Sequence, residues 1–175
     1  THQINAMILV PTRELAVQIA QTLEGISYYT SISFIEVYGG TGGASFANEK
    51  KALSSGVDIV ICTPGRIISH LNMGYVKMDA LRYLILDEAD RMLDMGFVQD
   101  IRRVLALLPN KHQNLLFSAT FSEEIKALAD SLLDSPAHIE VERQNSAVEL
   151  ISQSVYFASK ANKRDVLVHL LVEEK

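Results

Sequence analysis

The sequence predicts an α/β fold, an open and mostly parallel sheet flanked by helices. Three observations predict it. Short apolar runs alternate with longer stretches of helical periodicity along nearly the whole chain. The runs are continuous rather than alternating, as in strands covered on both faces of a parallel sheet. With 175 residues, 48% of them hydrophobic and 21% charged, the chain is long and apolar enough to bury a core.

The apolar runs fall at 6–10, 33–38, 58–62, 83–86, 114–117 and 139–141. Helical patterns fill the gaps at 13–29, 44–55, 66–72, 98–108 and 122–133. In the first of these, Leu15, Ala16, Ile19, Ala20, Leu23 and Ile26 recur at spacings of three and four and make one apolar face. Strand–helix alternation of this length argues for a parallel sheet, whose ligands bind beyond the carboxyl ends of the strands. A polar stretch near 143–150 follows the last run. Beyond it, 151–157 reads as a new strand and 162–172 as an amphipathic helix. The organisation expected is therefore a domain over 1–143, a linker over 144–150, and the start of a second α/β unit over 151–175. Charge shifts at the same place: residues 1–143 carry 12 basic and 17 acidic groups, whereas 144–175 carry four of each. A chain that begins in a strand and stops in a helix reads as a fragment with its N-terminal part absent.

Composition excludes several classes. A net charge of −5 rules out a wholesale basic coat, though not a local phosphate-binding surface. The single cysteine, Cys62, cannot close an internal disulfide. No run approaches the roughly 18–20 apolar residues of a membrane span. His2, His70, His112, His138 and His169 show no metal-ligand spacing and read as ordinary histidines.

The chemistry is sought at the strand ends. Asp87-Glu88-Ala89-Asp90 directly follows Tyr83-Leu84-Ile85-Leu86. Adjacent carboxylates there suit a Mg-nucleotide site: Asp87 can hold Mg²⁺ through water, and Glu88 can orient or deprotonate the water that attacks a γ-phosphate. The plainer reading is that Asp87 or Asp90 caps the following turn. After the first run come Pro11, Thr12 and Arg13, where Thr12 can cap a helix whose free amides bind an anion and Arg13 adds a fork of donors. Thr63, Pro64, Gly65 and Arg66 repeat that design after the third run. Two such loops suit two phosphates of one strand; each alone also reads as an ordinary capped helix. Gly39 and Gly40 supply a third strand-end loop, open to close approach by a ligand or simply a turn. Ser118 and Thr120 end the fifth run, where they can bond the acidic segment if the two strands are neighbours, or cap the next helix.

Taken together in this order and spacing, Pro11 to Ala16 with Gln18, Gly39-Gly40, Thr63 to Arg66, Asp87 to Asp90 and Ser118 to Thr120 resemble the DEAD-box ATP-dependent RNA helicases. The segments 91–97 and 113–122 look closest to the bacterial RhlE-like subgroup. The resemblance implies a RecA-like sheet of the P-loop NTPase type for 1–143, with the first strand and helix of a second RecA-like domain from Ile151. It implies ATP and Mg²⁺ as cofactors and cytoplasmic work on single-stranded or duplex RNA, gripped through its sugar–phosphate backbone. Asp87 would hold Mg²⁺ and Glu88 would activate the hydrolytic water. Asp90 would bond Ser118 and Thr120, coupling nucleotide to strand separation. Pro11, Thr12, Arg13, Gly39, Gly40, Thr63, Pro64, Gly65 and Arg66 would lie in the RNA-contacting segments.

One departure is large. No Gly-x-x-x-x-Gly-Lys-Ser/Thr phosphate loop occurs, and no Gly-Lys pair at all. The family places that loop, and an adenine-reading segment, ahead of the position of Pro11. The expectation is half an ATP site and no turnover by this chain alone. Two other classes compete: a non-catalytic RNA-binding or scaffold module with a helicase-like fold, and an unrelated doubly wound enzyme such as a methyltransferase or a flavodoxin-like protein.

Overall fold

The order in which the strands lie side by side decides which of these motifs become neighbours. The computed structural model describes residues 3–40, 43–140 and 155–173. The chain divides into two units, Thr1–Pro136 and Ala137–Lys175. The first unit runs β1 (Ala6–Leu9), α1 (Arg13–Ser27), β2 (Phe34–Val37), α2 (Gly43–Ser55), β3 (Ile59–Cys62), α3 (Pro64–Leu71), β4 (Tyr83–Leu86), α4 (Ala89–Asp94), α5 (Val98–Leu107), β5 (Gln113–Leu116) and α6 (Glu123–Leu132). All five strands are parallel, in the order β2-β3-β1-β4-β5.

Side-chain alternation along the strands sorts the core into two layers. Met7, Leu9, Val60, Cys62, Leu84 and Leu86 face one way, against Leu53 of α2, Ile67 of α3, Met92 of α4, Ile101 and Val104 of α5 and Leu128 of α6. Burying each of the larger side chains contributes about 1.5–3 kcal/mol. Ile8, Ile59 and Ile61 face the other way, against Ala16 and Ala20 of α1, two small residues that let this helix come close to the sheet. Coverage of that second face is uneven. Tyr83 is 46% exposed and no residue of β5 is fully buried. The expectation of strands buried on both faces therefore holds for β1 and β3 but fails at β5, which lies at a sheet edge.

Other expectations need correcting. The short helix α4 lies where only a turn was expected; six residues that start straight off a strand are too few to show a helical period. Of the expected strand at 139–141, Ile139 and Glu140 have no regular structure, and Val141 lies outside the described residues. The proposed linker 144–150 also lies outside them, as do Thr41 and Gly42.

In the second unit, residues 155–157 of the expected strand are irregular and exposed, while 151–154 lie outside the described residues. The expected terminal helix is present as α7 (Lys163–Glu173). It is not amphipathic: Val166, Leu167, Val168, Leu170, Leu171 and Val172 spread around most of its circumference rather than forming one stripe. Among the described residues, no helix is long and apolar enough to cross a membrane.

Candidate functional site

Register puts all the motifs on one rim. Leu9 lies opposite both Cys62 and Leu86, Val37 opposite Cys62, and Leu116 opposite Leu86, so the five strands end level. Sheet order then divides the rim. The loops after β2, β3 and β1 carry Gly39-Gly40, Thr63 to Arg66 and Pro11 to Arg13, and stand side by side on one half. The loops after β4 and β5 carry Asp87 to Asp90 and Ser118 to Thr120, and stand on the other. With neighbouring strands about 4.8 Å apart, roughly 10 Å separates the ends of β2 and β1.

On the acidic half, the chain leaves β4 through hydrogen bonds to both neighbours. The Asp87 N–H donates to the Leu9 carbonyl at 3.0 Å, and the Phe117 N–H donates to the Leu86 carbonyl at 2.8 Å. Glu88 then adopts φ 50°, ψ 51°, a left-handed conformation that costs an L-residue about 1–2 kcal/mol. The turn is held closed from both sides, by the Ala89 N–H on the Phe117 carbonyl at 3.0 Å and by the Glu88 N–H on Asp87 Oδ1 at 2.9 Å. Its effect is to turn the Glu88 side chain out at the rim, 40% exposed, where its carboxylate meets Arg91 Nη1 at 3.1 Å. An exposed pair of this kind contributes at most about 1 kcal/mol, so it does not bind the carboxylate firmly.

Asp90 ties the two loops of this half together. Its Oδ2 accepts from the Thr120 N–H and the Thr120 hydroxyl, both at 2.9 Å, and its Oδ1 accepts from the Arg91 N–H at 3.0 Å. Desolvation raises the Asp90 pKa, but the hydrogen bonds from Thr120 and Arg91 outweigh it and hold the carboxyl below its ordinary value. The Ser118 hydroxyl itself donates to the Thr120 carbonyl at 2.7 Å, so it braces the loop that grips Asp90. Adjacency of β4 and β5, the condition on which this contact depended, is met.

Asp87 stands half-buried at the end of β4 with Oδ1 on the Glu88 amide, a place from which a carboxylate could serve a hydrated divalent cation. Among the described residues, no group of three or more His, Cys, Asp or Glu side chains converges. A cation at Asp87 would take most of its ligands from water and phosphate, as Mg²⁺ does and Zn²⁺ does not.

On the other half, the two similar loops differ. Thr12 caps α1, its hydroxyl accepting from the Leu15 N–H at 3.3 Å. Arg13 is exposed, with its guanidinium 5.0 Å from the centre of the Tyr38 ring. Thr63 stands at the start of α3 but makes no capping bond. Arg66 is only 16% exposed, its Nε bonded to Glu49 at 2.8 Å and its guanidinium 4.7 Å above Phe46. Pro11 and Pro64 are buried, so they shape their loops and cannot reach a ligand with their rings. Gly40 has φ 89°, a conformation glycine adopts without strain. Gly65 needs no positive φ, and a Cβ there, as at Gly39 and Gly40, would meet nothing within 4 Å.

Sequence reasoning missed the partners of these arginines. Glu49 and His70 are buried, and together with Phe46 and Tyr75 they form a cluster behind Arg66. One signal was available, since Phe46, Glu49 and Leu53 lie at spacings of three and four and put a carboxylate on the apolar stripe of α2.

Comparison with known proteins identifies the family. The family model for DEAD/DEAH box helicases matches residues 1–128. An ATP-dependent RNA helicase RhlB from Hamiltonella defensa is 41% identical over 174 residues, covering 98% of this chain and 40% of the relative. DEAD-box ATP-dependent RNA helicase 52A from Oryza sativa subsp. japonica is 41% identical over 170 residues, covering 95% of this chain and 28% of that protein. The crystal structure of a DEAD box protein from the hyperthermophile Methanococcus jannaschii superposes with a TM-score of 0.76 at 35% identity, over 98% of this chain and 45% of that one. The chain thus spans about 40% of the length of the bacterial relative it matches. With the family model matching well over half of its residues, on a parallel sheet whose strand ends carry the motifs in order, the chain belongs to the DEAD/DEAH box helicase family.

Proposed function

We propose that this chain supplies the water-activating and RNA-gripping part of an ATP-dependent RNA helicase core, and that the full-length protein couples ATP hydrolysis to RNA duplex unwinding. The observation that carries the reading is the Asp90–Thr120 bridge, with both bonds at 2.9 Å, which joins the acidic loop to the loop after β5. A scaffold that only binds RNA has no use for a strained Glu88 turned out beside such a bridge.

Glu88 orients and deprotonates the attacking water; its weak pairing with Arg91 leaves it free to do so. Asp87 would hold Mg²⁺ through water, and the ion when bound would neutralise charge on the phosphates. Asp90, with Ser118 and Thr120, transmits a displacement of either loop to the other. On the remaining half, Thr12, Arg13, Gly39, Gly40, Thr63, Gly65 and Arg66 meet the sugar–phosphate backbone of single-stranded RNA, with Pro11 and Pro64 shaping the loops. Such contacts are independent of base sequence, and net charge −5 does not forbid them, because distant acids are screened beyond about 8–10 Å. The same reading takes residues 151–175 as the opening of a second RecA-like domain after a linker at 144–150, and a cytoplasmic place of work. An RhlE-like affiliation rests on residues 91–97 and 113–122 alone.

The test is Glu88→Gln in the full-length protein. Mg-ATP binding should persist while RNA-stimulated hydrolysis falls by about two orders of magnitude or more. Hydrolysis at the parental rate would remove Glu88 from its role and favour the scaffold. The 175-residue chain alone, which carries no Gly-Lys pair, should show no RNA-stimulated turnover.

A further inference from the structure

Among the described residues, Glu49 and His70 are the buried polar side chains, and the reading above leaves the cluster they form behind Arg66 unused. Glu49 is 4% exposed and His70 fully buried. Glu49 Oε2 accepts from Arg66 Nε at 2.8 Å and from His70 Nε2 at 2.7 Å, and Oε1 accepts from the Ser45 hydroxyl at 3.1 Å. The other imidazole nitrogen, Nδ1, bonds the Tyr75 hydroxyl. Since Nε2 faces a carboxylate, it carries the ring proton, and Nδ1 is left to accept. Burial, and after it the charge of Glu49, pushes the Tyr75 hydroxyl up, so that it keeps its proton and donates. Phe46 stacks on His70, with centroids 4.3 Å apart, and lies under Arg66 as well.

Removing a carboxylate and an imidazole from water is costly, and a buried pair is weak evidence of added stability. What it does fix is orientation. The Arg66 guanidinium is held in its plane by Glu49 and across its plane by Phe46, which removes rotamer freedom before any ligand arrives. Its Nη2 is buried and has no hydrogen-bond partner among the described residues. The Arg66 side chain keeps 16% of its surface exposed, and through that remainder a guanidinium already fixed on its inner side can gain from an incoming oxyanion.

We infer that Glu49, backed by His70 and Tyr75, is a positioning residue that aims Arg66 at an RNA phosphate and locks α2 to the start of α3. This rests on the RNA reading proposed above and deepens it. Through the cluster, the helix that follows the Gly39-Gly40 loop and the helix that begins at Thr63 move as one body.

The experiment uses the full-length protein with a non-hydrolysable ATP analogue and a fluorescent oligouridylate of fixed length. Arg66→Ala should weaken binding about tenfold or more, the loss of one charged hydrogen-bond site. Glu49→Gln should weaken it several-fold, and the double variant should bind no worse than Arg66→Ala. That non-additivity is the signature of action through Arg66, because general destabilisation would add. Tyr75→Phe keeps the ring, removes only the hydroxyl, and should cost about threefold. It carries the test if Glu49→Gln does not fold.

If Glu49→Gln and Tyr75→Phe bind RNA as the parent does while Arg66→Ala does not, the positioning role is overturned and the RNA reading stands. Additive losses, or tighter binding by Glu49→Gln, overturn it too, the latter because Glu49 would then be restraining Arg66. If Arg66→Ala and Arg13→Ala both leave binding unchanged, the RNA reading itself fails.

Discussion

The loops that follow β1 and β3 begin from nearly the same text, a threonine, then an arginine within three residues, at the start of a helix. They use it in opposite ways. After β1, the hydroxyl is committed and the arginine free: Thr12 caps α1, and Arg13 lies in the open against Tyr38. After β3, the arginine is committed and the hydroxyl free: Arg66 is bound to Glu49, while Thr63 makes no capping bond. The difference follows from what stands behind each loop. Proline at the first turn of α3 sets the helix start by fixing φ, so a side-chain cap is not required there. The buried carboxylate on α2 then takes the arginine. A shared motif predicts where groups lie on the rim, but not which of them is already occupied.

The widest separation between the loops should appear on replacing the arginines. Arg66→Ala leaves Glu49 buried with one fewer partner, at a cost of about 1–3 kcal/mol. For a unit of this size, that lowers the melting temperature by several degrees, on the order of 3–10 °C. Arg13→Ala removes only an exposed cation–π contact, which contributes about 0.5–1 kcal/mol, so the melting temperature should move by about 3 °C or less. Both should weaken single-stranded RNA binding about tenfold, and each should flatten the salt dependence by about 0.7 in log–log slope. Equal thermal shifts from the two variants would break the comparison at its base.

The threonines sharpen it in the other direction, with a smaller effect. Thr12→Ala should destabilise by about 1 kcal/mol, the usual loss of an N-cap, seen as a shift in the urea midpoint. Thr63→Ala has no capping bond to lose and should stay within about 0.5 kcal/mol of the parent. Its effect should fall on RNA affinity instead, about three- to fivefold. A stability loss at Thr63 as large as that at Thr12 would mean that its hydroxyl caps after all.

Much of this was legible beforehand, for a physical reason. Five apolar runs became five parallel strands, and the mark is plainest at β1 and β3, where coverage on both faces asks for apolar residues throughout. The motifs at their ends were legible because strand ends are where such sheets expose backbone and polar groups. What stayed hidden was pairing at a distance. Glu49 looks like one more charge on a polar helix until α2 is folded against α3, and His70 like one more core histidine. The α4 helix was hidden because Glu88 takes up a left-handed turn that no propensity predicts for glutamate. The expectation of a sixth strand, where Ile139 and Glu140 are irregular, has the opposite cause, since a run of three with a glutamate at its centre is too short to tell a strand from an irregular segment.

The loops after β4 and β5 give the smallest effect and a third arrangement, in which carboxylate and threonine are committed to each other. Asp90 sits below its ordinary value near 3.8 because its charged form accepts bonds from Thr120 and Arg91. A group held lower in the folded state than in the unfolded chain adds stability that is fully present above the unfolded value. That stability is lost as pH falls through the folded one. The gap in unfolding free energy between the parent and Asp90→Asn should therefore be constant at neutral pH and shrink as pH drops below about 4. Since these bonds are exposed, water and salt screen them, and the gap should be small and smaller still at high ionic strength. Urea midpoints from pH 7 downward for both proteins would measure it. A gap that stays constant into acid would show that Thr120 binds the protonated carboxyl as well as the charged one. The bridge between the two loops would then be a matter of shape alone, unlike the charge-dependent hold that Glu49 has on Arg66.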